Sequence, residues 1–330
     1  MQNQLCKVLA MAALSTGLSV IAGAQTIKTT IPFTFATQGV AVNPVTNKIY
    51  VVAPNRRTQP TDSLGVIDGR SDTLATTLSV PQGSRSVTVD YITNRVYVGG
   101  CDNTQLPVPC TVTVIDGKTN ATLNTILVTT TPGFGIKGIV ADPLNGLVYV
   151  ANGSDNVVNI IDGCKAKLIG SIDMRGNSPT AIAINPILNR LYVPGSDVVV
   201  TVNAATKKII ASTVFGESTV GAAANFLTGN VFVTDQESSG PSTVGVLNAK
   251  GSLQSDPTVD DAPLGVDVDP ITNLAFVAST AQDDVAVIDG SNNTVTTTVL
   301  NVPASFVAVN FVTEKVYVSG RTGVTVLTEK

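Results

Sequence analysis

From Thr26 onward the chain is a succession of short runs in which apolar and polar residues alternate, broken by turns rich in Asn, Asp, Gly and Pro. Alternation with a period of two predicts half-buried strands. Seven segments repeat one pattern: VAVNPVTNKIYVV from Val40, VTVDYITNRVYVG from Val87, IVADPLNGLVYVA from Ile139, IAINPILNRLYVP from Ile182, AAANFLTGNVFVT from Ala222, VDVDPITNLAFVA from Val266 and VAVNFVTEKVYVS from Val307. Their starts lie 47, 52, 43, 40, 44 and 41 residues apart. Each reads as a strand, a turn opened by Asn or Asp and usually followed by Pro, and a second strand. The Asx side chain caps the turn and Pro pre-sets its φ. A third strand and a hairpin turn follow, as in VTVIDGKTNATLNTI from Val112, and then a Thr-rich fourth strand suited to a solvated outer edge.

A period of 40–50 residues with four short strands per repeat predicts an all-β, seven-bladed propeller of four-stranded antiparallel blades. The seventh repeat ends after three strands, at GVTVLTEK (323–330). TIKTTIPF (26–33) resembles the fourth strand TVTTTVLNVP (294–303), so the N-terminal strand is expected to complete the last blade and close the ring.

Residues 1–24 read as a targeting segment. Lys7 supplies the positive n-region, an apolar stretch runs from Val8 to Ile21, and Ala22-Gly23-Ala24 is a cleavage pattern. The apolar run is short for a membrane span and carries Ser15, Thr16 and Ser19. The expectation is a cleaved signal peptide (1–24), a single propeller domain (25–330) and a monomer in the periplasm or outside the cell, with no span in the mature chain. Export permits disulfides, and Cys101 and Cys110 bracket a short polar loop that a disulfide would close; Cys164 is left unpaired.

The blocks IYVVAPN, VYVANGSDN and VAVIDGSNNT, with their NPVTN and DPITN turns, resemble the YVTN-type β-propeller repeat family, which includes surface-layer domains and periplasmic bacterial propellers. That resemblance covers essentially all of 26–330 and implies a seven-bladed, exported propeller. A more distant resemblance is to seven-bladed lactonases, whose catalytic residues include His.

Composition narrows the chemistry. The chain of 330 residues has no His and no Trp. That excludes a Ser-His-Asp triad, a Cys-His pair and a His-ligated metal. With 20 basic and 24 acidic side chains the net charge is −4, which argues against a nucleic-acid partner. No Walker loop and no zinc cysteine pair is present, and no cofactor or metal is implied.

The aromatic at one position of every second strand (Tyr50, Tyr97, Tyr149, Tyr192, Phe232, Phe276, Tyr317) reads as packing between blades. Asn43, Asp90, Asp142, Asn185, Asn225, Asp269 and Asn310 read as turn caps that do not converge. The second position of the innermost strand is small or β-branched in six repeats and Asp267 in the sixth, and this set is expected to face the axial channel. The loops joining strands two and three, and those joining successive blades, share one variable face. Arg85 and Lys137 precede the innermost strand in adjacent blades and should overhang the channel mouth. With Asp267 they are the candidate ligand-binding residues. Arg56, Arg57, Arg321, Asp235 and Asp283 are candidate rim contacts. The function this predicts is a non-catalytic binding scaffold for a small anionic molecule or an envelope protein or peptide. The alternative is a lactonase-like hydrolase using channel-face carboxylates and a metal.

Overall fold

The protein is described by a computed structural model that covers residues 25–55, 60–133, 135–238 and 241–329. Within them 28 strands form seven antiparallel four-stranded sheets. Blades 1 to 6 comprise 40–80, 84–129, 136–173, 183–214, 219–255 and 263–300. Each follows chain order outward from its first strand. Blade 7 takes Phe306–Asn310, Lys315–Gly320 and Gly323–Thr328, and its fourth strand is Thr26–Pro32. That strand runs antiparallel to Gly323–Thr328, with Thr26 opposite Thr328 and Pro32 opposite Gly323. The ring is thus closed by the N-terminal strand, and the edge of the third strand is covered. Among the described residues no helix is long and apolar enough to cross a membrane.

The turn chemistry of the repeats is realised residue by residue. All seven Asx side chains cap their turns: Asn43 Oδ1 accepts from the Val45 and Thr46 amides at 3.0 and 3.1 Å. Asp269 Oδ1 likewise accepts from Ile271 and Thr272 at 2.6 and 3.0 Å. Each turn ends on a residue with positive φ, at Asn47, Asn94, Gly146, Asn189, Gly229, Asn273 and Glu314. Asn and Gly tolerate that left-handed conformation best, which is why the repeat writes them there. Glu314 is the exception.

The core lies between blades. Seven apolar clusters occupy the seven seams; one joins Tyr50, Val52 and Leu64 of blade 1 to Val87, Val96 and Val98 of blade 2. The seven aromatics are almost fully buried in these seams. Burying each such side chain is worth about 1.5–3 kcal/mol. Tyrosine adds a polar stitch. Tyr50, Tyr97 and Tyr192 donate to the Gly117, Gly163 and Ala249 carbonyls of the next blade at 3.4, 3.1 and 2.8 Å. The basic residue two positions earlier reaches the same carbonyl: Lys48 donates to Gly117 at 2.7 Å, Arg95 to Gly163 and Arg190 to Ala249. The Lys/Arg-x-Tyr spelling of the repeat is therefore a seam contact.

The seam between blades 7 and 1 uses a different acceptor. Asp72, buried in a turn of blade 1, accepts from Lys315 Nζ at 2.9 Å and from the Tyr317 hydroxyl at 3.1 Å. Lys28 of the closing strand donates to it at 2.7 Å. Burial opposes ionisation of Asp72, but these donors outweigh it and hold its carboxyl below the usual range.

The second position of the innermost strand faces the following blade, a correction to the expected channel-facing set. Sheets in this ring stack face to face, so alternate side chains look at the two neighbouring blades and only the strand edge meets the axis. Thr88 Oγ1 accordingly accepts from the Ala141 amide of blade 3 at 3.2 Å. One residue before the repeat starts, the approach is tighter still. A Cβ on Gly39 would sit 2.5 Å from the Arg85 carbonyl oxygen, and one on Gly265 2.6 Å from Phe306 Cα. Glycine there lets neighbouring innermost strands touch.

Candidate functional site

The variable loops collect around one end of the channel and leave a cavity of about 530 Å³. Residues two positions before the repeat start contribute Gln38, Arg85, Lys137, Thr180, Val220 and Leu264. The connections between second and third strands add Cys101, Asn103, Val108, Cys110 and Ser154. A recess of about 210 Å³ adjoins it and shares Gln38, Arg85, Cys101 and Asn103. Deeper, the channel itself offers about 170 Å³ between the innermost strands.

Arg85 and Lys137 therefore line one cavity, on adjacent blades, and both are exposed. Arg85 NH1 donates to Gln38 Oε1 at 3.3 Å, which steers the guanidinium along the rim. Among the described residues lining the cavity these two are charged, and no carboxylate joins them. The wall beside them is the loop 101–110. Cys101 and Cys110 face each other across the strands and form a disulfide, with Cys101 Sγ accepting from the Ile136 amide at 3.3 Å. Cys164 is free and exposed.

Asp267 is not part of that lining. Its Oδ1 accepts from the Val268 amide at 2.9 Å, and its Oδ2 from the Val309 amide of blade 7 at 2.8 Å. Burial pushes its carboxyl up to about 6, against the pull of the two amides. In this position it ties two innermost strands together, as Thr88 does three blades further round the ring.

The rim residues are dispersed. Arg321 and Asp283 bind each other through a bidentate pair, with Arg321 NH1 at 2.6 Å from Asp283 Oδ1. This joins blades 6 and 7 and commits two of the candidate rim charges to each other. Asp235 is buried and accepts from the Glu217 and Ser218 amides at 3.0 and 2.8 Å, capping its own loop. Arg56 and Arg57 lie outside the described residues, as do residues 1–24.

Two aromatic rings meet at the opposite end of the channel. Phe226 of blade 5 and Phe311 of blade 7 meet edge to face with centroids 6.3 Å apart. Those blades are not neighbours, so the rings meet across the axis. The residue following the cap is Phe at two of the seven positions, where the repeat usually has Pro. That substitution was the available sequence signal. At the same face, the seam between blades 6 and 7 pairs Asp269 with Glu329. Burial and the Asp269 carboxylate push Glu329 well above the usual carboxylate range. Other seams place an amide there: Asn43 Nδ2 donates to Asn94 Oδ1 and Asn225 Nδ2 to Asn273 Oδ1, at 2.8 and 2.7 Å.

No protein-family model matches the sequence, and no curated protein matches it. Among solved structures the chain is similar to one described as Kuenenia stuttgartiensis hydrazine synthase. The TM-score is 0.73 with 16% sequence identity, over 91% of this chain and 97% of that one. At that identity the likeness is one of fold. The fold so defined is a seven-bladed β-propeller.

Proposed function

We propose that this is an exported propeller, of the YVTN-like kind its repeats resemble, that binds an anionic group of a small molecule or a peptide at the channel mouth without catalysing a reaction. The observation that supports the reading is that Arg85 and Lys137, on adjacent blades, line one cavity at the channel mouth. Two cations at a partly desolvated cavity make a positive local field despite the net charge of −4. Arg85 offers a planar fork to a carboxylate or phosphate, and Lys137 a point charge. Gln38, Asn103 and Ser154 add neutral hydrogen-bonding groups that a polar ligand would need.

The test is calorimetric titration of inorganic phosphate, succinate and an Asp-rich peptide into the wild-type chain and into Arg85→Ala/Lys137→Ala. At least one probe should bind wild type, with affinity lowered ten-fold or more in the double variant. Equal affinity in both, or no binding of any probe to wild type, overturns the reading.

A further inference from the structure

The end opposite the mouth carries two concentric rings of turns. Strand order runs outward from the axis, so turns between first and second strands form the inner ring and those between third and fourth strands the outer one. The bonds from Lys48 to Gly117, Arg95 to Gly163 and Lys315 to Gly69 each run from the end of an inner turn to an outer turn, which places both rings on one face. Every inner turn has an apolar residue two positions after its cap. Val45, Leu144, Ile187, Leu227 and Val312 are between 36% and 47% exposed there. The caps and the positive-φ residues already fix these turns, so the folding of the turn does not call for apolar tips. The outer turns of blades 1 to 5 carry Arg70, Lys118, Lys165, Lys207 and Lys250, all exposed. Lys165 also reaches Asp162 at 3.1 Å. Carboxylates of the same turns are engaged as caps: Asp68 accepts from the Arg70 amide at 2.8 Å, and Asp116 from the Lys118 and Thr119 amides at 2.8 Å each. The exposed carboxylates Asp173, Asp197 and Asp256 lie at the other end of the blades. The chain also enters the ring on the face with the apolar tips. Gln25 Nε2 donates to the Glu329 carbonyl at 3.5 Å, and Glu329 Oε1 accepts from Thr272 of an inner turn at 3.3 Å. The apolar stretch from Val8 to Ile21 precedes Gln25 in the sequence.

We propose that this face docks on the surface of an anionic phospholipid bilayer. The inference concerns the end opposite the mouth and stands apart from the reading given for the mouth. Apolar tips alone would suit any apolar partner; the cations outside them select an anionic one. Apolar side chains that enter the headgroup boundary, flanked by Lys and Arg level with the phosphates, are what an interfacial surface requires. The long stems of those cations carry the charge clear of the capping carboxylates at the backbone. Each cation close to an anionic leaflet favours the bound state about five-fold, so several on one face act together. An acidic protein would answer the cations, but it would need a surface shaped to tips spread around a ring, whereas a fluid bilayer adapts to them. The place of Gln25 is the second argument. A leader of this composition entering a bilayer would bring this face, and not the mouth, against it. Docking in this sense leaves Arg85 and Lys137 turned toward the solvent.

The experiment is co-sedimentation of the chain starting at Gln25, which keeps every strand of the ring, with phosphatidylcholine vesicles containing phosphatidylglycerol. The protein should bind these vesicles in about 0.1 M salt, bind them more weakly in about 1 M salt, and not bind vesicles of phosphatidylcholine alone. Lys118→Glu/Lys207→Glu/Lys250→Glu should weaken binding about ten-fold or more, and Ile187→Ser/Leu227→Ser about three-fold or more. Arg175→Glu, at an exposed cation of the other end, should leave it unchanged. All six positions are exposed, and thermal unfolding checks that each variant keeps its fold. Absence of binding to the anionic vesicles, equal binding to phosphatidylcholine, wild-type binding by the triple or the double variant, or an effect of Arg175→Glu as large as that of the triple variant overturns the assignment. Binding of poly-glutamate without binding of vesicles overturns it in favour of an acidic protein.

Discussion

Asp72→Asn removes one negative charge from the seam that shuts the ring, while leaving a side chain that tolerates the positive φ of 52° at that position. In the native chain the carboxylate side chain is 3% exposed and faces Lys315, itself 13% exposed, and Lys28, which is 44% exposed. Breaking a buried ion pair from one side costs about 3–5 kcal/mol. Asparagine retains one acceptor for Lys315 or Tyr317, so the lower end applies. The half-exposed Lys28 contributes about 0–1 kcal/mol more. A loss of about 3 kcal/mol lowers the midpoint of a domain this size by about 6–10 °C. Thermal unfolding followed by circular dichroism at pH 7 measures it. The pH dependence supplies a second check. The Asp72 carboxyl is held below its ordinary value, so its contribution is present above the unfolded pKa and is lost as pH falls through the folded one. The gap between wild type and variant should therefore narrow as the pH is taken from 5 toward 2. A variant that unfolds within about 1 °C of wild type at pH 7 would refute the idea that this carboxylate holds the seam.

Two further perturbations address the same ring. A chain beginning at Thr34 lacks the closing strand and uncovers Val324 and Val326, which are fully buried. The loss of six ladder positions, at about 1 kcal/mol for each hydrogen bond, should lower the midpoint by roughly 10 °C or more, and a midpoint equal to that of a chain starting at Gln25 rules this out. Glu329→Gln should stabilise the protein at pH 8. The raised carboxyl keeps a proton in the folded state that the unfolded chain releases, so wild-type stability falls as pH rises from near 4.5 through the folded value. The variant should gain about 1–2 kcal/mol at pH 8 and almost nothing at pH 4, and a variant less stable than wild type at pH 8 contradicts the account.

The architecture was legible because the repeat writes the same turn seven times. Asx at the start and Asn or Gly at the positive-φ end fix the hairpin locally, and the missing fourth strand of the last repeat has its counterpart at 26–33. Contacts between blades were not legible in the same way. Alternation along the innermost strand says that Asp267 and Thr88 share a face, but which neighbour that face meets depends on how the sheets stack around the axis. The mouth could be assembled from sequence only as far as Arg85 and Lys137, which hold equivalent places in the repeat. The Arg321–Asp283 pair joins segments with no common spacing. Its proximity follows from blade order and strand register together.

The Phe226–Phe311 contact gives the channel a direction. A tube open at both ends can thread a polymer; one narrowed by side chains at one end threads it less readily. If the mouth binds as proposed, a contact of this kind at the far end disfavours passage through the ring, and a long ligand would present its tip. The proposed binding would then be recognition of an end rather than of an interior segment, with entry and exit on one face.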